Sequence, residues 1–567
     1  MNPEVRKHEK IRFRRGEIAE LHTLPSAQGQ GTWRRRSPAA LGLRYAGAAF
    51  GVLGCVAVLL AAVVYFVGVN GISTDSVRGE AETAVERLVG IDLDASLGPA
   101  RLSFDRERFL AVEIKDALFK TAASEVVKAE SVSVGLRPLA LLGGRVEVGS
   151  VRIENARVAA HGLPRSEGNW SAVLTDANGL IDPDLVAKAL LTALHQAIDA
   201  IGGGKLQAIA LSGVEIVLPG KDGPGPTIVV DSASLHVERP GELSVAIEAS
   251  VAGYAVSLAG TARQDAASRR ISGLDLAVET TRGERDGDPV ASAGAEPGSG
   301  FGRLELRISG EEGVAGEASR LVIAASVADS VIRLDDADSI SGDASVAATL
   351  VTGSGKVEID RARLTVGRSR LDFHGAVGPK PHVDGEPPAY RYELVSDGSY
   401  LAPGDSTEPA LEFLSRIAGA YDPASRRLSM EELRIRTTGG ELSGKAAFDF
   451  VEQGAPGISL ALDVPRMPVA HVKLLWPWLA ASTARKWTMN NLFGGTVTDS
   501  FLKYDVAPRR LGNGVPLSGD EVSGHFEISG ARFDVAGRIP PMRDAVGTLD
   551  FRGNDVDIAL ASGVIYL

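Results

Sequence analysis

The residues able to do chemistry are few and scattered. Gly353-Ser354-Gly355-Lys356 offers the glycines and lysine of a phosphate-cradling loop, but the earlier glycine is missing and Val357 stands where a Ser or Thr must reach the metal. Gly202-Gly203-Gly204-Lys205 fails in the same way. Asp335, Asp336 and Asp338 cluster three carboxylates, yet their spacing does not match an EF-hand loop and reads as a solvated turn. The nine histidines, among them His161, His195, His236 and His374, are scattered singly, and none pairs at metal-ligand spacing. There is no G-x-S-x-G elbow, no H-E-x-x-H and no C-x-x-C. The one cysteine, Cys55, sits in the most apolar stretch, where hydrocarbon surroundings suppress the thiolate, so it reads as a packing residue. Acidic residues from distant strands can still converge as a glycosidase pair, which keeps a glycan hydrolase open as the catalytic alternative. The expectation is a protein with no catalytic residue, no metal and no cofactor.

The elements that would position any site are mostly strands. The 567 residues are 44% hydrophobic but only 5% aromatic, with 65 glycines, a composition that suits many short strands joined by glycine-containing turns. A formal charge of −12 argues against a nucleic-acid partner, which demands a basic face. Period-two alternation recurs along the chain: Val146-Glu-Val148, Leu304-Glu-Leu-Arg-Ile308, Val357-Glu-Ile359, Leu433-Arg-Ile435, Ile458-Ser-Leu-Ala-Leu462 and Phe526-Glu-Ile528. Such strands have one apolar and one polar or small face. Ser341–Val377, Leu428–Phe450 and Val522–Leu560 read as loosely repeated β-meanders.

Helical spacing appears at Asp184–Ile201, which stops at three glycines, at Glu408–Tyr421, and at Pro468–Gly495, where Pro477 breaks a helical pair. These segments are too few to serve as crossovers, so a parallel βαβ architecture is disfavoured. Thr281–Gly300 and His382–Pro388 carry turn formers without an apolar period and read as loops.

Tyr45–Val69 is almost wholly apolar, and no Asp, Glu, Lys or Arg occurs between Arg44 and Asp75. That length suffices to cross a bilayer, which takes roughly 20 apolar residues. Arg34, Arg35, Arg36 and Arg44 on its N-terminal side, against a mixed and acidic far flank, orient it with the N-terminus in the cytoplasm. A short amphipathic helix is expected at Asp75–Gly90. The resulting division is a basic cytoplasmic segment (1–44), a transmembrane helix (45–70), an N-terminal extracytoplasmic β region (71–280) containing helix 184–201, a linker (281–300), and a repeated β region (301–567) with a helical insertion at about 466–495.

Two stretches resemble the AsmA superfamily of bacterial inner-membrane proteins. In the first, Ala129-Glu-Ser-Val-Ser-Val134 leads to Pro138-Leu-Ala-Leu-Leu-Gly-Gly144, then Val148–Ala156 and Gly168-Asn-Trp170; Ala156 stands where the family usually has proline. In the second, Leu475-Trp-Pro477, Arg485-Lys-Trp487, Asn490-Asn491 and Gly494-Gly495 resemble the helical insertion of the YhdP-type branch.

The resemblance implies an inner-membrane anchor and a periplasmic β-groove that carries phospholipid towards the outer membrane. The expected fold is then mostly β: an elongated, curled antiparallel groove of repeated β-meanders with a few helices, preceded by one transmembrane helix. Its partners would be membrane phospholipid, the inner membrane and outer-membrane or other envelope proteins. A non-catalytic scaffold for outer-membrane protein assembly, as in TamB-like chains, is the alternative. The lipid-facing candidates are Val357, Ile359, Leu433, Ile435, Phe526 and Ile528. Trp476, Trp478, Trp487 and Phe493 suit a membrane interface or a lid, or equally the packing of the helical pair on the sheet.

Overall fold

The computed structural model describes residues 94–565 with breaks, the longest at 104–110, 138–147, 160–173 and 283–300. The expected transmembrane segment 45–70, the basic residues Arg34, Arg35, Arg36 and Arg44, the helix expected at 75–90, and Asp335, Asp336 and Asp338 lie outside the described residues. Among the described residues no helix is long and apolar enough to cross a membrane.

The described chain is mostly β and divides after Val357 into two compact units. In the N-terminal unit the strands are β1 (Asp94–Ser96), β2 (Ala100–Ser103), β3 (Ala111–Lys120), β4 (Glu125–Leu136) and β5 (Val148–Ala159), then helix α1 (Pro183–Gly202). They continue as β6 (Ala208–Pro219), β7 (Pro224–Arg239), β8 (Glu242–Val251), β9 (Tyr254–Gln264), β10 (Ile271–Arg282), β11 (Arg303–Glu311), β12 (Arg320–Arg333) and β13 (Ser339–Val351). Strand β14 (Val357–Val366) begins at the division. The C-terminal unit continues with β15 (Ser369–Pro379), β16 (Tyr390–Leu401), β17 (Leu411–Asp422), β18 (Arg427–Thr437), β19 (Gly440–Asp449) and β20 (Gly457–Pro468). Helices α2 (Val469–Leu475) and α3 (Ser482–Asn491) follow, then β21 (Leu492–Val506), β22 (Val522–Phe533), β23 (Met542–Arg552) and β24 (Asp555–Ile565).

Consecutive strands from β6 to β13, and from β15 to β24, pair antiparallel, so each unit is a meander that does not close into a barrel. Tight hairpins need a left-handed residue, and Gly367 (φ 57°) and Gly553 (φ 62°) supply it between β14 and β15 and between β23 and β24. Residues 283–300 connect β10 and β11, which pair directly, so they join neighbouring strands within one unit.

One expectation gains an exception and a second is corrected. First, β5 and β6 pair in parallel, with α1 as their crossover. Parallel neighbours require such a connection, and one helix is enough for one pair. Second, residues 408–421 are not helical: β17 occupies Leu411–Asp422. Leu411, Leu414, Ile417 and Tyr421 fit a helical stripe, but Leu411, Phe413 and Ser415 are buried while Glu412, Leu414 and Arg416 are exposed. Flanking strands on both sides pair its backbone, and that tertiary pairing overrides local propensity.

The N-terminal unit has a sealed core. Ile209, Leu211, Val214, Ile216, Ile228 and Val230 are fully or almost fully buried. One cross-strand row runs Ile153, Leu211, Ala233, Ile247, Leu258 and Val278 in register, so one sheet face is apolar from strand to strand. Helix α1 packs on β7, β10 and β13 with Ala187, Leu191 and Ile198 buried at helical spacing. Polar contacts fix it: His195 to Glu312 (2.8 Å) and Gln264 (3.1 Å), Asp199 to Arg269, and the Asp184 carboxylate to the Gly353 N–H (3.0 Å).

Candidate functional site

The C-terminal unit also carries one apolar face. Directly opposed residues on paired strands share a face, and Leu394, Ile417, Leu433, Gly444, Leu462 and Leu502 form one unbroken row. The row continues through Gly524, Phe551 and Val556 to the last described strand. A parallel rung runs Tyr392, Gly419, Met430, Ala446, Leu460 and Tyr504, and a third runs Tyr390, Tyr421, Leu428, Phe448, Ile458 and Val506. At about 4.8 Å between strands, the first row spans on the order of 40 Å. Most of its large side chains, including Leu394, Ile417, Leu433, Leu462 and Leu502, are only half-buried.

The other face is charged. Arg416, Arg434, Asp463, His525, Asp550 and Asp557 lie on one cross-strand register there. Arg416 pairs with Glu393 (2.6 Å) and Glu432 (3.3 Å), and His525 with Asp550 (2.7 Å), which raises the imidazole pKa above its ordinary value. These exposed pairs contribute little stability and serve to keep this face wet. Tyr392 is held on the apolar side, where burial pushes its phenol up to about 12 while its hydroxyl donates to the Ser429 carbonyl (2.8 Å). Burial raises Tyr504 in the same sense.

One end of the apolar face is closed. Helix α2 packs on β20 and β21, and its Val469 joins Leu442, Val464, Met467, Val497 and Ile528 in a buried cluster. Lys473 of α2 is 2% exposed, and its Nζ donates to Glu408 Oε1 (2.9 Å), Leu492 O (2.8 Å) and Met489 O (3.2 Å). The Phe493 ring lies 4.7 Å from that ammonium and 5.3 Å from the Arg532 guanidinium. His471 Nδ1 meets Thr437 Oγ1 (3.0 Å); burial lowers its pKa, with Glu408 opposing.

No family model, curated protein or solved structure matches the chain.

Of the lipid-facing candidates, Leu433, Ile435, Phe526 and Ile528 share the apolar face. Leu433 lies in the half-buried part, whereas Ile435, Phe526 and Ile528 belong to the closed end. Ile359 is half-buried on β14, and Val357 packs against the N-terminal core instead. Trp476 follows α2 and Trp487 lies on α3, both half-buried, while Phe493 meets two cations; Trp478 falls outside the described residues. The Gly353 N–H that a phosphate loop would offer is taken by Asp184.

Sequence reasoning missed Lys473, Glu408 and Ser415. Lys473 had a visible signal, a lone charge inside the apolar run Val472-Lys473-Leu474-Leu475. Glu408 and Ser415 have none, because the apolar spacing of their segment fits a helix.

Proposed function

We propose that the chain is a membrane-anchored periplasmic lipid-binding protein that takes part in phospholipid transport between the inner and outer membranes, without catalytic residues of its own. The observation that carries this reading is the unbroken, half-buried apolar row from Leu394 through Leu502 to Phe551, backed by a charged face. A curled sheet with that face inward is a groove with a continuous greasy floor. Each methylene buried there recovers about 0.8 kcal/mol, so an acyl chain slides along the floor at little cost while exit into water is prohibitive. The resemblance to the AsmA superfamily, and the apolar segment 45–70 with its basic flank, support the anchored, periplasmic placement.

The test is mass spectrometry of lipids extracted from the purified chain and from a Leu462→Asp variant. Leu462 is central in the row and half-buried, so the variant should fold and lose most of the phospholipid held by wild type. A folded wild-type chain that carries no phospholipid would move the reading to a non-transporting assembly scaffold.

A further inference from the structure

The apolar face does not end in hydrocarbon. Two residues beyond Leu394 and before Ile417 on the same face, Ser396 and Ser415 oppose each other, and Ser415 in turn opposes Ile435 at the closed end. Ser415 is 6% exposed, and its Oγ has no hydrogen-bond partner among the described residues. A buried hydroxyl without a partner is costly, and a ligand acceptor would relieve that cost.

One rung on, Thr437 faces His471, whose ring feels the Glu408 carboxylate, which itself holds the buried Lys473 ammonium. Polar groups thus gather where the floor stops, with the Thr437 hydroxyl donating to the Gly440 carbonyl and accepting from His471. Among the described residues, the carboxylate on Lys473 comes from the segment that leads into β17, not from a strand.

We propose that this end of the floor is a headgroup pocket, in which the phosphate of a two-chain phospholipid lies against Lys473, His471 and Ser415 and displaces the Glu408 carboxylate. Resting on the lipid-floor reading above, this assigns the ligand's polarity and direction. Its acyl chains run from the pocket along the strands, over the rungs of Ile417, Gly419 and Tyr421. Ser415 to Tyr421 is six residues, or about 20 Å of strand, against about 15 Å of hydrocarbon in half a bilayer. The floor is therefore long enough for an ordinary chain. Glu408 keeps the buried lysine neutralised when the pocket is empty, since an unpaired buried charge is strongly destabilising.

The experiment is calorimetric titration of the full chain in mild detergent with three probes: dioctanoyl phosphatidylglycerol, dioctanoylglycerol and inorganic phosphate. Wild type should prefer the phospholipid over the diacylglycerol by about tenfold, the scale of one charge-assisted hydrogen bond. Lys473→Met should abolish that preference and leave dioctanoylglycerol affinity unchanged, and Lys473→Arg should restore part of it. Ser415→Ala should lower phospholipid affinity about threefold, and Glu408→Gln should raise it, because the competing anion is gone. Ser415→Ala removes one hydroxyl and no charge, so it keeps the test decisive if Lys473→Met fails to fold. Equal affinity for the two lipids, or a preference that survives both Lys473→Met and Ser415→Ala, would overturn the pocket while leaving the floor standing. Failure of wild type to bind either lipid would overturn the floor itself. Displacement of the phospholipid by equimolar inorganic phosphate would keep the phosphate site and overturn its lipid source.

Discussion

The two units use one alternation to different ends. In the N-terminal unit Ile216, Ile228 and Val230 are 0% exposed, and α1 is tied down over the sheet by His195, Asp199 and Asp184. In the C-terminal unit Leu433, Leu462 and Leu502 occupy equivalent register positions on an equally continuous row, yet they stay only half-buried, and among the described residues α2 covers one end. Alternation thus reports that a sheet has an apolar face and says nothing of what covers it. A conventional core and an open floor differ only in the covering layer.

Charge placed in the two faces should separate them most sharply. Leu211→Asp buries an unpaired carboxylate at a site 2% exposed and should leave the N-terminal unit unfolded. Leu502→Asp, on the half-exposed row, should leave the C-terminal unit folded and lower lipid occupancy instead. Hydrogen exchange read separately over residues 208–282 and 390–506 checks this, and equal loss of protection at both sites would erase the distinction.

The closed end gives the next largest effect. Glu408→Ala strands a buried ammonium and should cost about 3 kcal/mol, whereas Lys473→Met removes the charge with its volume kept and should cost much less. Denaturant midpoints of the two variants test the order, and a reversal would mean that Lys473 is not the buried member of the pair.

Truncation gives a smaller contrast. Ile216→Ala in the sealed core should cost about 3 kcal/mol, while Leu433→Ala should cost about 1 kcal/mol, since a half-exposed side chain loses less and opens no cavity. Similar costs would imply that the C-terminal face is as well packed as the core.

The pH effects are the smallest, and they have opposite signs. Burial lowers the His471 pKa, so the unfolded chain binds the extra proton first. The stability linked to this histidine is complete above its ordinary value of 6.5 and is lost as pH falls through the depressed folded value. The Asp550 hydrogen bond raises the His525 pKa, so its contribution is complete below 6.5 and is lost as pH rises through the raised folded value. His471→Gln should flatten the acid side of the stability curve and His525→Gln the side above 6.5, each read from midpoints across pH 5–8.

The strands and two of the helical segments were legible in the sequence because their periods differ and because glycines end them. Asp184–Ile201 shows this: Ala187, Leu191 and Ile198 keep one face, and the run stops at Gly202. Residues 408–421 were illegible because Leu411, Leu414 and Ile417 satisfy a helical stripe as well as a strand, and only the pairing of β16 and β18 decides between them. The parallel β5–β6 pair was hidden for a related reason: local pattern does not report which strand a helix returns to. At the site, Leu433 and Ile435 were visible as alternating residues, but cross-strand register alone separates the open rung from the covered one.

The central claim, that the half-exposed row is a lipid floor and the charged side is not, is tested most directly by photo-crosslinking in cells. Probes at Leu433 and Arg434, neighbours on β18 with opposite faces, should give phospholipid adducts at Leu433 and none at Arg434. Adducts at both, or at neither in a folded chain, would contradict it.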